Sequence, residues 1–470
     1  MGSSILFTYP QIATIAGVQG LVVYALSASL PLLVFAWLGP IIREQCPEGF
    51  VLTEWTIQRY GLVTGLYLSL CTLLTLFLYM VAELSALQQV INALTGLNGL
   101  PVVIVECFVT TVYTSLAGFK VSFITDNIQA AMVLGLLIIS VAAVGSKTTI
   151  DRSLIPESGL LNSSLLGWQL IYILPVAILT NNFFLSGFWL RTFASRSNRD
   201  LYIGVSLATG TIAVIFTFVG ATGLLAAWSG VWPGADPTTD GSLSFFLLLA
   251  QLPTWLVGII LVLTVALSTS AFDSLQSAIV SSASNDLFRN RLNLWLIRAS
   301  VVALIFPVVI VALKSPNILT IYLISDLLSA AVIPVLVIGL WPKAHAWRGC
   351  DVVVGGLGGI FSVFLFGLVF YQGDARAAGN LILLKNGLYA DDWSAFGAFV
   401  AAPVGGLLWG AASFGVRVAV LWVLARVRGT PFTALDRPVR GDEGMVVEDE
   451  GRFSGEQSVE RRDVKNGQFF

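Results

Sequence analysis

Residues 264–288 read TVALSTSAFDSLQSAIVSSASNDLF, a stretch of membrane-span length that is full of hydroxyl groups and carries Asp273 inside it. Wound as a helix, Gln276, Thr269, Asp273, Ser277, Ser270, Ser281 and Ser274 fall within one arc of roughly 160°, with Phe272, Leu275, Ala278 and Ile279 filling much of the opposite side. One face is apolar and the other is suited to line a polar site. A carboxylate at mid-membrane costs about 2.5–3.5 kcal/mol unless it faces protein or water, so Asp273 predicts a buried partner. Close packing through small hydroxyl residues explains the same pattern more simply. The carboxylate is what favours a functional face.

The rest of the chain has the composition of a membrane protein. Of its 470 residues, 56% are hydrophobic and 11% charged, against roughly 25% charged in soluble domains. A full span needs about 20 apolar residues, so the sequence predicts an all-α polytopic membrane protein of about 11 full transmembrane helices plus a partial first helix. The partial segment is residues 4–17, interrupted by Pro10. Full spans are expected over 21–37, 62–90, 100–116, 123–144, 168–189, 202–228, 252–288, 293–313, 318–341, 352–371 and 396–424. Residues 1–428 form one transmembrane domain; the charged, polar segment 429–470, with Ser454 and Ser458 as candidate phosphorylation positions, is expected to be disordered.

Several function classes fall away on composition. Cys46, Cys71, Cys107 and Cys350 show no ligand spacing and His345 is the single histidine, which excludes histidine-clustered metal sites and Ser-His-Asp catalysis and leaves no enzyme and no cofactor expected. A net charge of −2 carries no nucleic-acid footprint. Counted by alternate loops, Lys and Arg crowd one side (Arg43, Arg59, Arg191, Arg196, Arg199 and others), against only Lys147, Arg152, Lys314, Arg376 and Lys385 on the other. The positive-inside rule makes the crowded side and the C-terminal tail cytoplasmic, in a plasma membrane. Asn162-Ser163-Ser164 then falls outside, as glycosylation of Asn162 requires.

With most charge excluded from the spans, the polar residues inside them are the site candidates: Glu83, Glu106, Asn181, Asn182, Asp273 and Asp326, with Asp126 at a span boundary. Adjacent amides at Asn181-Asn182, followed by Gly187, suit a locally unwound segment whose side chains and free backbone groups bind a polar solute. A sodium ion needs about five or six hard oxygen ligands. Thr269 and Ser270 are consecutive on the polar arc, while Ser268 lies near the apolar centre and ranks below them. Backbone carbonyls of a broken helix must supply the remaining ligands.

The run YTSLAGFKVSFITDNIQAAMVLGLL at 113–137 resembles the signature region of the sodium:solute symporter family. The order of other elements is similar to that family too: NNFFLSGFWLRTFASRS at 181–197, Asp286-Leu287-Phe288 after the polar helix, and Gly339-Leu340-Trp341 closing a later span. The resemblance implies a five-plus-five inverted-repeat core with its first and sixth helices broken at the midplane. It also implies a sodium site that joins a hydroxyl pair of the eighth core helix to carbonyls of the first. An ungapped count from Asp286 puts that pair at Ser270 and Ala271; Thr269 and Ser270 are preferred because alanine has no side-chain oxygen. Asp126 would lie on the ion exit, and Tyr24, Ser27 and Asn181 would face the solute, joined by Asn182, Asp273 and Asp326 on their own polarity.

Because the family's first core helix is longer than residues 4–17, the resemblance implies an N-terminally shortened chain. The implied function is sodium-coupled symport of a small polar organic solute. Lacking a fixed cation to hold an anion, the spans point to a urea-like or other uncharged solute. One charge crossing 100 mV supplies about 2.3 kcal/mol and a tenfold ion gradient about 1.4, enough to concentrate a solute several hundredfold. A proton-coupled carrier using Asp273 or Asp326, and a non-transporting sensor, remain open alternatives.

Overall fold

Backbone polar groups in hydrocarbon must be satisfied within their own segment, which leaves helices as the economical solution for an apolar chain of this kind. The computed structural model describes residues 2–46, 51–232, 241–287, 293–314 and 317–436, and its regular elements are all helical. Ser454 and Ser458 lie outside the described residues. The helices are α1 (Ile5–Ser29), α2 (Pro31–Gln45), α3 (Leu52–Tyr60), α4 (Leu62–Thr95), α5 (Leu100–Lys147), α6 (Leu154–Glu157), α7 (Leu165–Asn182) and α8 (Ser186–Ala194). They continue with α9 (Asn198–Trp228), α10 (Ser244–Ala250), α11 (Thr254–Ser282), α12 (Leu294–Lys314), α13 (Ile318–Val337), α14 (Gly349–Phe370), α15 (Ala375–Ile382) and α16 (Ser394–Arg428). Eight segments among the described residues are long and apolar enough to cross a membrane, and shorter apolar helical stretches such as Leu100–Val112, Ala131–Lys147 and Val302–Lys314 accompany them.

The first of those segments, Ile5–Gln45, is a half-length arm followed by one full pass. At Gly17 the backbone leaves the helical region (φ 62°, ψ −155°). Tyr9 and Tyr24 then stack at 3.9 Å between ring centroids, whereas a straight helix would hold them about 22 Å apart. Residues 5–16 and 18–29 therefore form an antiparallel hairpin. Only glycine suits the corner: φ is positive, and a Cβ would run into the Leu160 carbonyl oxygen, which accepts from the Val18 amide at 2.9 Å. The 5–16 arm is about 18 Å long, roughly half the hydrocarbon thickness. The partial first helix and first full span expected from sequence correspond to this hairpin and its continuation α2.

One expectation changes. Residues 100–147 run as a single 48-residue helix where a turn at 117–120 was expected; an isolated interior glycine without proline does not oblige a helix to break. The span expected over 168–189 is interrupted after Asn182, where the adjacent amides suited an unwound segment, and Leu185 (φ −83°, ψ 96°) separates α7 from α8. A ring cluster of Phe35, Phe183 and Trp189, with centroids 5.0–5.5 Å apart, holds this break, and Trp189 Nε1 donates to the Phe183 carbonyl at 2.9 Å.

Packing divides the membrane helices into two groups. The α1 hairpin, α2, α7 and α9 pack on one another, as do α4, α5, α11 and α12. Helix α13 touches both groups through α7 and α4, and is backed by α14 and α16. The backing is glycine-lined: a Cβ on Gly355 would lie 2.9 Å from the Gly406 carbonyl oxygen, and one on Gly406 would lie 2.6 Å from that of Ala331. At one end of this layer Asp351 is fully buried. It accepts from Arg417 Nη2 at 2.7 Å, Ser413 Oγ at 2.9 Å and the Arg348 amide at 3.1 Å.

Candidate functional site

The arms and breaks described above bring four helices together around two acids. On α4, Tyr79 and Glu83 are one helical turn apart; on α13, Tyr322 and Asp326 repeat that spacing. The two helices run antiparallel here, because Thr75 meets Ser325 at 3.2 Å while Tyr322 reaches Glu83, also at 3.2 Å. The Tyr79 and Tyr322 rings meet edge to face at 4.6 Å. Between them the end of α7 inserts Asn181, whose Nδ2 donates to Asp326 Oδ1 at 2.5 Å and to the Tyr79 hydroxyl at 2.9 Å. Ser325 Oγ donates to Asn181 Oδ1 at 3.2 Å, so both ends of the amide are used. Its neighbour Thr180 pairs with Ser329 at 2.9 Å.

The start of the 5–16 arm caps Glu83. The Ser3 amide donates at 2.8 Å and Ser3 Oγ at 3.0 Å, and Ser4 Oγ makes a further short bond to the carboxylate and lies 2.5 Å from the Tyr322 hydroxyl. The positive end of the half-helix dipole thus faces a carboxylate. Tyr9 on this arm is stacked between Tyr24 at 3.9 Å and Phe216 of α9 at 4.3 Å. Glu83 and Asp326 are 2% and 7% exposed, and among the described residues neither is ion-paired with Lys or Arg; the described ion pair is Arg417–Asp351. Buried acids rimmed by tyrosine rings and, among the described residues, without a Lys or Arg partner form a site suited to a cationic group.

The sequence candidates separate accordingly. Asn181, Asp326 and Tyr24 belong to this cluster, and Asn182 and Ser27 are buried on the same helices. Asp273 is fully buried on α11, which packs against α4 and α5. Of the hydroxyls considered for sodium, Ser268 is fully buried and donates to Glu106 of α5 at 3.1 Å. Thr269 is half-buried with its hydroxyl donated to the Val265 carbonyl at 2.9 Å, and Ser270 is half-buried. The Asp126 side chain lies outside the described residues. Asn162 is exposed, as a sequon requires. Tyr9, Tyr79, Tyr322, Ser3 and Ser4 are site residues that polarity alone did not single out; the repeated Tyr-x-x-x-acid spacing at 79–83 and 322–326 is the signal that marks two of them.

No family model matches the chain. The spermidine transporter DUR31 of Candida albicans (strain SC5314) is 51% identical over 471 residues, covering 99% of this chain and 88% of the relative. Among solved structures, a substrate-bound, outward-open Na+-coupled sialic acid symporter matches with a TM-score of 0.63 at 14% identity over 87% of each chain. The inward-facing conformation of Mhp1 matches with a TM-score of 0.50 at 15% identity, over 93% of this chain and 94% of the other. These structural likenesses are of fold: the five-plus-five transporter core expected from the sequence motifs is the architecture of this chain.

Proposed function

The chain belongs to the family of the Candida albicans spermidine transporter and is a secondary transporter rather than an enzyme; on that premise we propose that its solute is a linear organic polycation of the polyamine class. The observation that carries this reading is the pair of buried acids, Glu83 and Asp326, set among Tyr9, Tyr24, Tyr79 and Tyr322 with no Lys or Arg pairing to them among the described residues. Ammonium groups gain from carboxylates and from tyrosine faces alike, and methylene linkers gain from ring contact. The urea-like solute expected from the sequence could hydrogen-bond to the acids but brings no charge to compensate them, so the polycation is preferred.

Energetics favour the same direction. A triply charged amine entering a negative interior gains about 7 kcal/mol per 100 mV, three times the value for one charge. The membrane potential by itself would therefore drive accumulation. Sodium coupling at Ser268, Thr269 and Ser270, with Asp126 on the exit path, stays a proposal alongside it. Proton coupling is the second reading, favoured by the Ser268 bond to the buried Glu106 carboxylate. In this scheme the α1, α2, α7 and α9 group rocks about Asp326, residues 429–470 form a cytoplasmic tail, and the protein resides in the plasma membrane with Asn162 outside.

The test is uptake of radiolabelled spermidine and urea by cells expressing the full chain, with sodium replaced by choline at fixed pH and with pH varied at fixed sodium. Concentrative spermidine uptake supports the reading, and urea uptake without spermidine uptake overturns it. Loss of sodium stimulation in Ser268→Ala or in Thr269→Ala plus Ser270→Ala identifies the coupling hydroxyls.

A further inference from the structure

We propose that the connection between α15 and α16 is a strap that closes the solute pathway on the side expected to face outward, with Tyr389 as its latch. The inference rests on the reading that the solute passes Asp326. The connection bonds to three of the four helices that deliver the acid–tyrosine cluster: the 5–16 arm, α7 and α13. The Tyr389 hydroxyl makes a short bond to Gln11 Nε2 on the 5–16 arm and lies 3.5 Å from Asn317 Nδ2. Asn317 is the N-cap of α13, its side chain accepting from the Thr320 amide at 3.1 Å. The Asp392 carbonyl accepts from Gln169 Nε2 of α7 at 3.0 Å. Counting down the helices at 1.5 Å per residue, these contacts sit about 13 Å above Asp326 and about 18 Å above Asn181.

Backbone strain points to the same segment. Of the three non-glycine positions with positive φ among the described residues, Leu384 (45°) and Asp391 (49°) lie on this connection, and Gln372 (53°) lies just before α15. Each holds an L side chain in a left-handed region that it disfavours. Burial of Leu384 and Leu388, at 1% and 3% exposure, holds the segment down against that strain. A segment seated by a few anchors against stored strain has two settings, seated and released. Seated, it joins the 5–16 arm to α7 and α13 across the pathway; released, it leaves Tyr24 and Ser27 open from that side.

The experiment uses the full chain with Ser27→Cys as a reporter, modified by a membrane-impermeant methanethiosulfonate on intact cells without solute. Tyr389→Phe removes the latch hydroxyl and is expected to speed modification about three- to tenfold, the worth of a lost hydrogen bond or two. Gln11→Leu, which removes the other end of the bond, is expected to do the same. Asp391→Gly relieves strain in the seated form and is expected to slow modification. Rates unchanged in Tyr389→Phe and Gln11→Leu, with normal surface abundance, overturn the strap. Because the readout is accessibility rather than transport, a wrong solute assignment leaves this test intact.

Discussion

Asp326→Asn removes the charge proposed to hold the solute while leaving the shape of the cluster in place. The Asn181 Nδ2 atom donates to Asp326 Oδ1 at 2.5 Å, and an asparagine oxygen at 326 can accept the same bond. The fold should therefore survive, since α13 is buried against α14 and α16 by glycine-lined contacts that the substitution does not touch. What is lost is a charge-assisted contact to an ammonium group, about 1.5–3 kcal/mol. At about 1.4 kcal/mol per factor of ten, KM for spermidine is expected to rise roughly ten- to a hundredfold. Initial-rate uptake in cells lacking their own polyamine uptake, normalised to surface abundance through a tail epitope, measures it. A spermidine KM within twofold of the parent at normal abundance refutes the assignment, as does a urea KM that rises equally steeply.

Three further outcomes follow from the geometry. Gly17→Ala forces a side chain into positive φ and against the Leu160 carbonyl oxygen, so detergent-extracted protein should lose at least about 1–2 kcal/mol of stability, read as a lower melting temperature. Arg417→Ala leaves Asp351 buried without its cation and should cost about 3–5 kcal/mol, whereas Arg417→Met combined with Asp351→Leu should recover much of it; thermal melts of both variants distinguish the two. Asn162→Gln should abolish a glycosidase-sensitive shift in gel mobility if the exposed sequon faces the lumenal side during synthesis.

Helix positions were legible because each span repeats one local condition, about 20 apolar residues between polar interruptions. The break at Asn181–Asn182 was legible for a similar reason, since adjacent amides have little to do in an unbroken apolar helix. The tyrosines were not. Tyr9, Tyr79 and Tyr322 read individually as ordinary apolar-bodied residues, and their convergence depends on the hairpin at Gly17 and on α4 running antiparallel to α13. Ser268 shows the limit of a helical wheel in a membrane: the wheel separates apolar from polar faces, but lipid and protein neighbours are both apolar. That ambiguity let a residue near the apolar centre of the wheel turn out to be buried against Glu106.

The glycine-lined layer behind α13 has a mechanical consequence. The close approaches at Gly355 and Gly406, with the Val332 and Val335 side chains seated against the glycines, leave little room for α13 to slide against α14 and α16. In the transport scheme proposed above, the helix that carries Asp326 is thereby the stator. Displacement has to occur on the other side of the acid, in the Gly17 hairpin and the broken α7–α8 pair, which are clamped by ring contacts and by single hydrogen bonds that can be exchanged one at a time.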